Sequence, residues 1–144
     1  MKIKHVQQPT PVTCVHACLS MVTGVPVDSL IERFGNQALA FDAEATVLVE
    51  HRIFPIKTTG DHRTFPFTGL YLVSAPSLNL PGQLHMVAVE ATEYELKVYD
   101  PNTGRKGVKA YADDAITSGQ LACVDVTYLE KSILQSMRPV MDAA

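Results

Sequence analysis

The sequence lacks the features that would send a chain to a membrane, to nucleic acid or to an oxidising compartment. None of its 144 residues belongs to a run approaching the ~18 consecutive apolar positions of a membrane-spanning helix. Residues 1–5, Met1 to His5, carry positive charge but no apolar stretch follows them, so no signal peptide is expected. Lysine and arginine total 12 against 15 acidic residues, for a net charge of −3, and nowhere do four basic residues adjoin. That balance argues against a nucleic-acid partner. Three cysteines make an odd count without paired spacing, which points to free thiols and a cytoplasmic setting. Neither an internal repeat nor a low-complexity linker is visible. What remains is 47% hydrophobic and 19% charged, enough for a core without staples, so one domain over residues 1–144 is expected. No oligomeric state is implied.

The most informative stretch runs from Gln8 to Met21. Pro9 and Pro11 are expected to keep it extended, because each fixes its own φ and biases its predecessor away from helix. A helix is predicted from Cys14 to about Thr23. Thr13 would cap it through its hydroxyl. Gly24 would supply the left-handed stop, and Pro26 would block continuation. The helix is apolar on most sides and should be core. Cys14 would be its first residue, where unpaired amides and partial positive charge stabilise a thiolate. The plainer reading is that Cys14 is one more small buried residue.

His16 falls on another face and is expected to be partly exposed, at most on the rim of a cleft. Cys18, one turn below Cys14, and Cys123, in an apolar run, are expected in the core. The spacing Cys14-x-His16-x-Cys18 raises zinc, but structural zinc sites favour loop spacings such as Cys-x2-Cys. No metal and no cofactor are expected.

Asp28 should cap a second helix ending at Gly35, and Asp42 a third carrying Ala45, Leu48, Val49 and Arg52 on one face. Residues 53–56 read as a strand entering the core, with Pro55 confining it to an edge. Thr58–Pro66 reads as a loop. Strands follow at 69–73, 84–89 and 95–99, a loop at 75–83, a further strand at 108–111 and a last one at 121–129. A terminal helix is expected from Glu130 to Met137. Helices first and strands afterwards define an α+β domain.

The strands at 84–89 and 95–99 form a hairpin candidate. A turn centred between Thr92 and Glu93 pairs Val89 with Leu96, Val87 with Val98, and His85 with Asp100. All three pairs share one face. An imidazole held by a carboxylate is an oriented base. With a cysteine on a facing helix it would complete a Cys–His–Asp triad. Asp100 also opens a good turn sequence through Gly104 and would serve there as a turn former. Gln8, six residues before Cys14, can place a side-chain amide near the helix mouth, where such a donor stabilises an oxyanion.

Together Gln8-x5-Cys14-x2-Ala17-x-Leu19-x-Met21, His85-Met86-Val87-Ala88-Val89 and Val98-Tyr99-Asp100-Pro101-x2-Gly104 resemble the C39 peptidase family, papain-like cysteine peptidases, over about residues 5–111. The resemblance implies a papain-like fold, its nucleophile helix packed on an antiparallel sheet. It implies Cys14 as nucleophile, His85 as general base and acid, Asp100 as its orienting group, and Gln8 with the Cys14 amide as the oxyanion hole. The best-known members cut leader peptides after a double glycine as N-terminal domains of exporters. Here Val15 stands where the family commonly has glycine, which would narrow the cleft. A stand-alone peptidase acting on a peptide or protein substrate is the expectation. A transglutaminase-like acyl transferase with the same triad, and a non-catalytic binder of the same fold, are the alternatives.

Overall fold

Proline and glycine set the limits of the first two helices. The computed structural model describes residues 3–58 and 65–131. Helix α1 spans Cys14–Thr23, and Gly24 ends it at φ 83°, its amide donating to Ser20 O at 2.9 Å. The approach is not extended as expected. Thr10–Thr13 is a turn closed by Thr13 N–H to Thr10 O at 3.5 Å, with Pro11 second in the turn, where its fixed φ is favoured. Thr13 holds the N-cap position, yet its hydroxyl turns back to accept from Thr10 N–H and donate to Thr10 O, so it does not cap the helix.

Helix α2 covers Val27–Phe34 and ends at Gly35, φ 88°. Pro26, not Asp28, takes its N-cap position, and the Pro26 carbonyl accepts from Ser29 and Leu30. Helix α3 covers Phe41–Glu50 with Ala40 at the N-cap. Asp42 lies inside the first turn, where its charge still suits the positive end. The buried face of α3 is Glu44, Val47 and Leu48, whereas Val49 is 49% exposed and Arg52 lies beyond the helix at φ 60°. The expected face is therefore turned by one position. The cause is packing: α3 lies against α1 and against the edge of the sheet.

That sheet is antiparallel throughout, in the order β1-β5-β2-β3-β4. Its strands are β1 (Phe54–Lys57), β2 (Gly69–Pro76), β3 (Leu84–Ala91), β4 (Leu96–Tyr99) and β5 (Asp125–Glu130). Pro55 sits on edge strand β1, where a missing donor is harmless. Only Ile53, just before β1, enters the core, since Phe54 and Ile56 are exposed. One face of the sheet presents Leu70, Leu72, Ala88 and Leu129 to α1, and Cys18 is fully buried there with its thiol on Met86 O. The other presents Tyr71, Val73, Val87, Val89 and Val126 to Tyr111, Ala115 and Leu121. Cys123 is only half-buried at the margin of this second cluster.

The segment covering that second face is irregular, and no strand forms at 108–111. Asn79 takes a strand's place: its amide donates to Lys109 O and accepts from Lys109 N–H, both at 2.8 Å. The last strand is shorter than expected, 125–130 instead of 121–129. The helix expected from Glu130 to Met137 lies outside the described residues after Lys131, as do residues 59–64 of the expected loop.

The β3–β4 hairpin is shifted. Val89 faces Val98 and Ala91 faces Leu96, so each β3 residue meets a partner two positions beyond the expected one. Thr92 moves the turn. Its N–H donates to Glu95 O at 2.9 Å and its hydroxyl accepts from the amides of Tyr94 and Glu95, which centres the turn between Glu93 and Tyr94. A shift of two preserves which residues share a face; a shift of one would have reversed it.

The observed face of α3 is testable. Leu48→Ala should lower unfolding free energy in urea by about 2–5 kcal/mol. The expected loss for Val49→Ala is less than about 1 kcal/mol.

Candidate active site

A thiol, an imidazole and a carboxylate converge from three parts of the chain. Cys14 opens α1, which packs on β3. His85 is the second residue of β3 and is buried. Asp100 follows the last residue of β4, where the ladder has ended at Ala88–Tyr99 and the chain is free to bend toward His85. His85 Nε2 donates to Asp100 Oδ1 at 2.6 Å. The half-buried Cys14 lines the same two cavities as the ring. Asp100 is 2% exposed and is a turn former as well. Its Oδ1 accepts from Asn102 N–H at 2.8 Å and its Oδ2 from Tyr111 N–H at 2.7 Å.

Burial alone would discharge His85. The hydrogen bond to Asp100 and the Asp100 charge, with the adjacent Cys14, outweigh it and push the imidazole pKa from 6.5 up to about 9. At neutral pH the ring therefore carries a positive charge at the cleft that Cys14 lines.

Gln8 lies beside this group but is not aimed into it. It is 1% exposed, and its backbone N–H donates to Pro101 O at 2.9 Å. Its Nε2 donates to Thr10 O at 2.8 Å, while Oε1 is buried without a partner. His16 is not on the surface: it is fully buried, with Nε2 on Gly35 O at 2.9 Å. Burial lowers its pKa against that hydrogen bond, so the ring is neutral. Its polarity hid its place at the α1–α2 junction, where Gly35 offers a carbonyl.

Two cavities flank the thiol and share Val12, Cys14, Ala38, Leu84 and His85. One, about 360 Å³, extends past Asn79, Asn102 and Arg105. The other, about 270 Å³, extends past Val15, Leu39, Phe41 and Glu44. They are two arms of one cleft. A larger hollow of about 570 Å³ lies at the far ends of β2 and β3, lined by no cysteine or histidine, and is no candidate for this chemistry.

Sequence reasoning missed three contributors. His5 donates to Asp100 O at 2.8 Å, and the Tyr111 amide holds Asp100 Oδ2. Neither backbone partner leaves a mark in the sequence. Glu44 did leave one: it sits three and four positions before Val47 and Leu48, on the buried stripe.

Three helices and a five-stranded antiparallel sheet, with the first helix starting at a cysteine, make an α+β architecture. No family model and no curated protein matches the sequence. Solved structures do. A double glycine motif protease from an AMS/PCAT transporter, in complex with the leader peptide, superposes with TM-score 0.62 at 13% identity, over 91% of this chain and 93% of that one. The peptidase domain of Streptococcus ComA, a bifunctional ABC transporter in a quorum sensing pathway, gives TM-score 0.62 at 17% identity, over 91% of this chain and 100% of that one. The chain has the fold of these C39-type peptidase domains, as the sequence resemblance implied. Among the described residues no helix is long and apolar enough to cross a membrane.

The His85 pKa has a thermodynamic consequence. A pKa raised from 6.5 to about 9 gives stabilisation that is complete below about pH 6.5 and lost as pH rises through about 9. NMR titration should place the His85 midpoint near 9 and lower it in Asp100→Asn. Because Asp100 holds three donors, that variant should also lose about 1–3 kcal/mol of stability in denaturant, instead of leaving the fold untouched.

Proposed function

We propose that the protein is a cysteine peptidase that hydrolyses a peptide or isopeptide bond through an acyl-enzyme. The observation that carries the reading is the convergence of residues 14, 85 and 100, with a cationic imidazole between sulfur and carboxylate. The peptidase domains that share the fold support it, one of them solved with a leader peptide.

In this mechanism the Cys14 thiolate attacks the scissile carbonyl carbon and the carbonyl electrons move to oxygen. The oxyanion is met by the Cys14 backbone amide, unpaired because it opens a helix. Gln8 is the second donor, its side-chain amide turning from Thr10 O toward the cleft when substrate binds. The imidazolium of His85 passes its proton to the leaving nitrogen as the C–N bond breaks, giving a thioester and a neutral ring. His85 then takes a proton from water as the water oxygen attacks the thioester. The C–S bond breaks, the acid product leaves, and the thiolate–imidazolium pair is restored. Asp100 keeps the ring oriented throughout and stabilises its charge. If an amine replaced water in the second half, the product would be a new amide, so product analysis separates hydrolysis from transfer.

The substrate is a peptide laid across the two arms of the cleft, with Val15 narrowing one of them. A peptide library incubated with the protein should yield cleavage products that Cys14→Ala abolishes. Their rate should fall on an alkaline limb near pH 9, where His85 loses its proton. Gln8→Ala should reduce kcat by about 10²–10³-fold. Products formed equally by Cys14→Ala, or none with any peptide, would contradict the reading.

A further inference from the structure

The mechanism has no use for Glu44, and its surroundings do not explain why a carboxylate is buried there. Glu44 lies on the inner face of α3, 5% exposed, and lines the smaller arm of the cleft together with Cys14 and His85. Its Oε1 is buried without a hydrogen-bond partner. An unpaired buried carboxylate is expensive to keep unless something arrives to pair with it.

The nearby charges do not supply that partner. Lys57 on β1 is ion-paired with Asp125 on β5, and its ammonium rests over the Phe41 ring, 4.7 Å from the centroid. From α1 the Cys14 thiol lines the same arm, and from β3 the His85 imidazole, a cation at both pH 5.5 and pH 8; the fully buried Cys18 thiol is kept protonated by burial and neighbouring negative charge. Burial pushes the Glu44 pKa from 4.5 up to about 7, the Lys57 charge pulling it down and the Asp125 charge opposing that pull. When Glu44 ionises, this end of the arm carries one net negative charge. Val12, Val15, Leu39, Leu84 and Met86 give this arm apolar lining, and Ser74 and the Lys57–Asp125 pair line it beside Glu44. A long methylene chain with a cation at its tip fits such a channel, because the stem covers apolar surface while the head reaches a polar partner.

We propose that this arm is a subsite for a lysine or arginine side chain of the substrate, with the Glu44 carboxylate as its counter-charge. The proposal rests on the peptidase reading only in calling the occupant a substrate residue; the binding itself requires no turnover. It adds a recognition element to a cleft whose other arm is walled by neutral amides and Arg105.

The test is binding of n-butylguanidinium against its neutral isostere n-butylurea, followed by amide NMR shifts of the intact protein at pH 8. The cation should shift the signals of Val15, Leu39 and Glu44 saturably and bind at least about tenfold tighter than the urea. Glu44→Gln should bring the two within about twofold while retaining the wild-type pattern of amide signals elsewhere. If that variant does not fold, the pH dependence of the unaltered protein decides. The advantage of the cation should be smaller at pH 5.5 than at pH 8, because the carboxyl is protonated at the lower pH. Equal affinity for both probes, an advantage that persists in Glu44→Gln, or one that is the same at both pH values would overturn the proposal. Because no cleavage is measured, a protein that binds the cation yet cuts no peptide would sink the peptidase reading alone.

Discussion

Asp100 is the point on which the rest of this structure turns. It presents three acceptor positions and all are occupied. The Oδ1 atom takes the His85 ring and the Asn102 amide, Oδ2 takes the Tyr111 amide, and the Asp100 carbonyl takes the His5 ring and the Thr103 amide. A carboxylate 2% exposed is tolerable only when so many donors replace water. The same bonds do two jobs. They hold the imidazole in one orientation, and they anchor the segment that leaves β4 and folds back over the second face of the sheet. Fold and candidate chemistry are thus coupled through one side chain.

Rigidity on the other side of the cleft has a different origin. Cys14 needs no hydrogen bond to hold it, because the helix behind it is packed against β3 and its central residues Ala17, Cys18 and Leu19 are fully buried. Cys14 is half-exposed at the N-terminal end of α1. Gln8 is tied to the Asp100 side instead, through Pro101 O, so the chain before the helix and the turn after β4 are fixed to each other. The cleft lies between these anchored parts, with amides and Arg105 along one arm and a buried carboxyl along the other.

What was legible in the sequence followed from strong local rules. Pro and Gly delimited α1, and Pro55 put β1 on an edge. Alternation along β3 and β4 placed His85 and Asp100 together even though the register is displaced by two, because an even displacement leaves the faces unchanged. The displacement itself was hidden in the Thr92 hydroxyl, which recentres the turn. Polarity misled where a buried polar group has a partner distant in sequence. His16, a polar residue expected at the surface, meets the Gly35 carbonyl, and the cover formed by 100–124 is held by Asn79 and by backbone amides, not by a strand. The buried face of α3 differs from the expected one for another reason: it carries Glu44, a buried carboxylate whose Oε1 has no partner.

The central claim is that sulfur, imidazole and carboxylate act as one unit, so that Asp100 affects Cys14 only through His85. The most direct measurement is the rate of Cys14 alkylation by iodoacetamide at pH 7 in the wild type, His85→Ala, Asp100→Asn and the double variant, with Cys18 and Cys123 as internal references. Groups acting as a unit are strongly non-additive. The account predicts that each single variant slows Cys14 and that Asp100→Asn adds less than about twofold once His85 is gone. Independent losses that multiply in the double variant, or a Cys14 no more reactive than the other two thiols in the wild type, would contradict it.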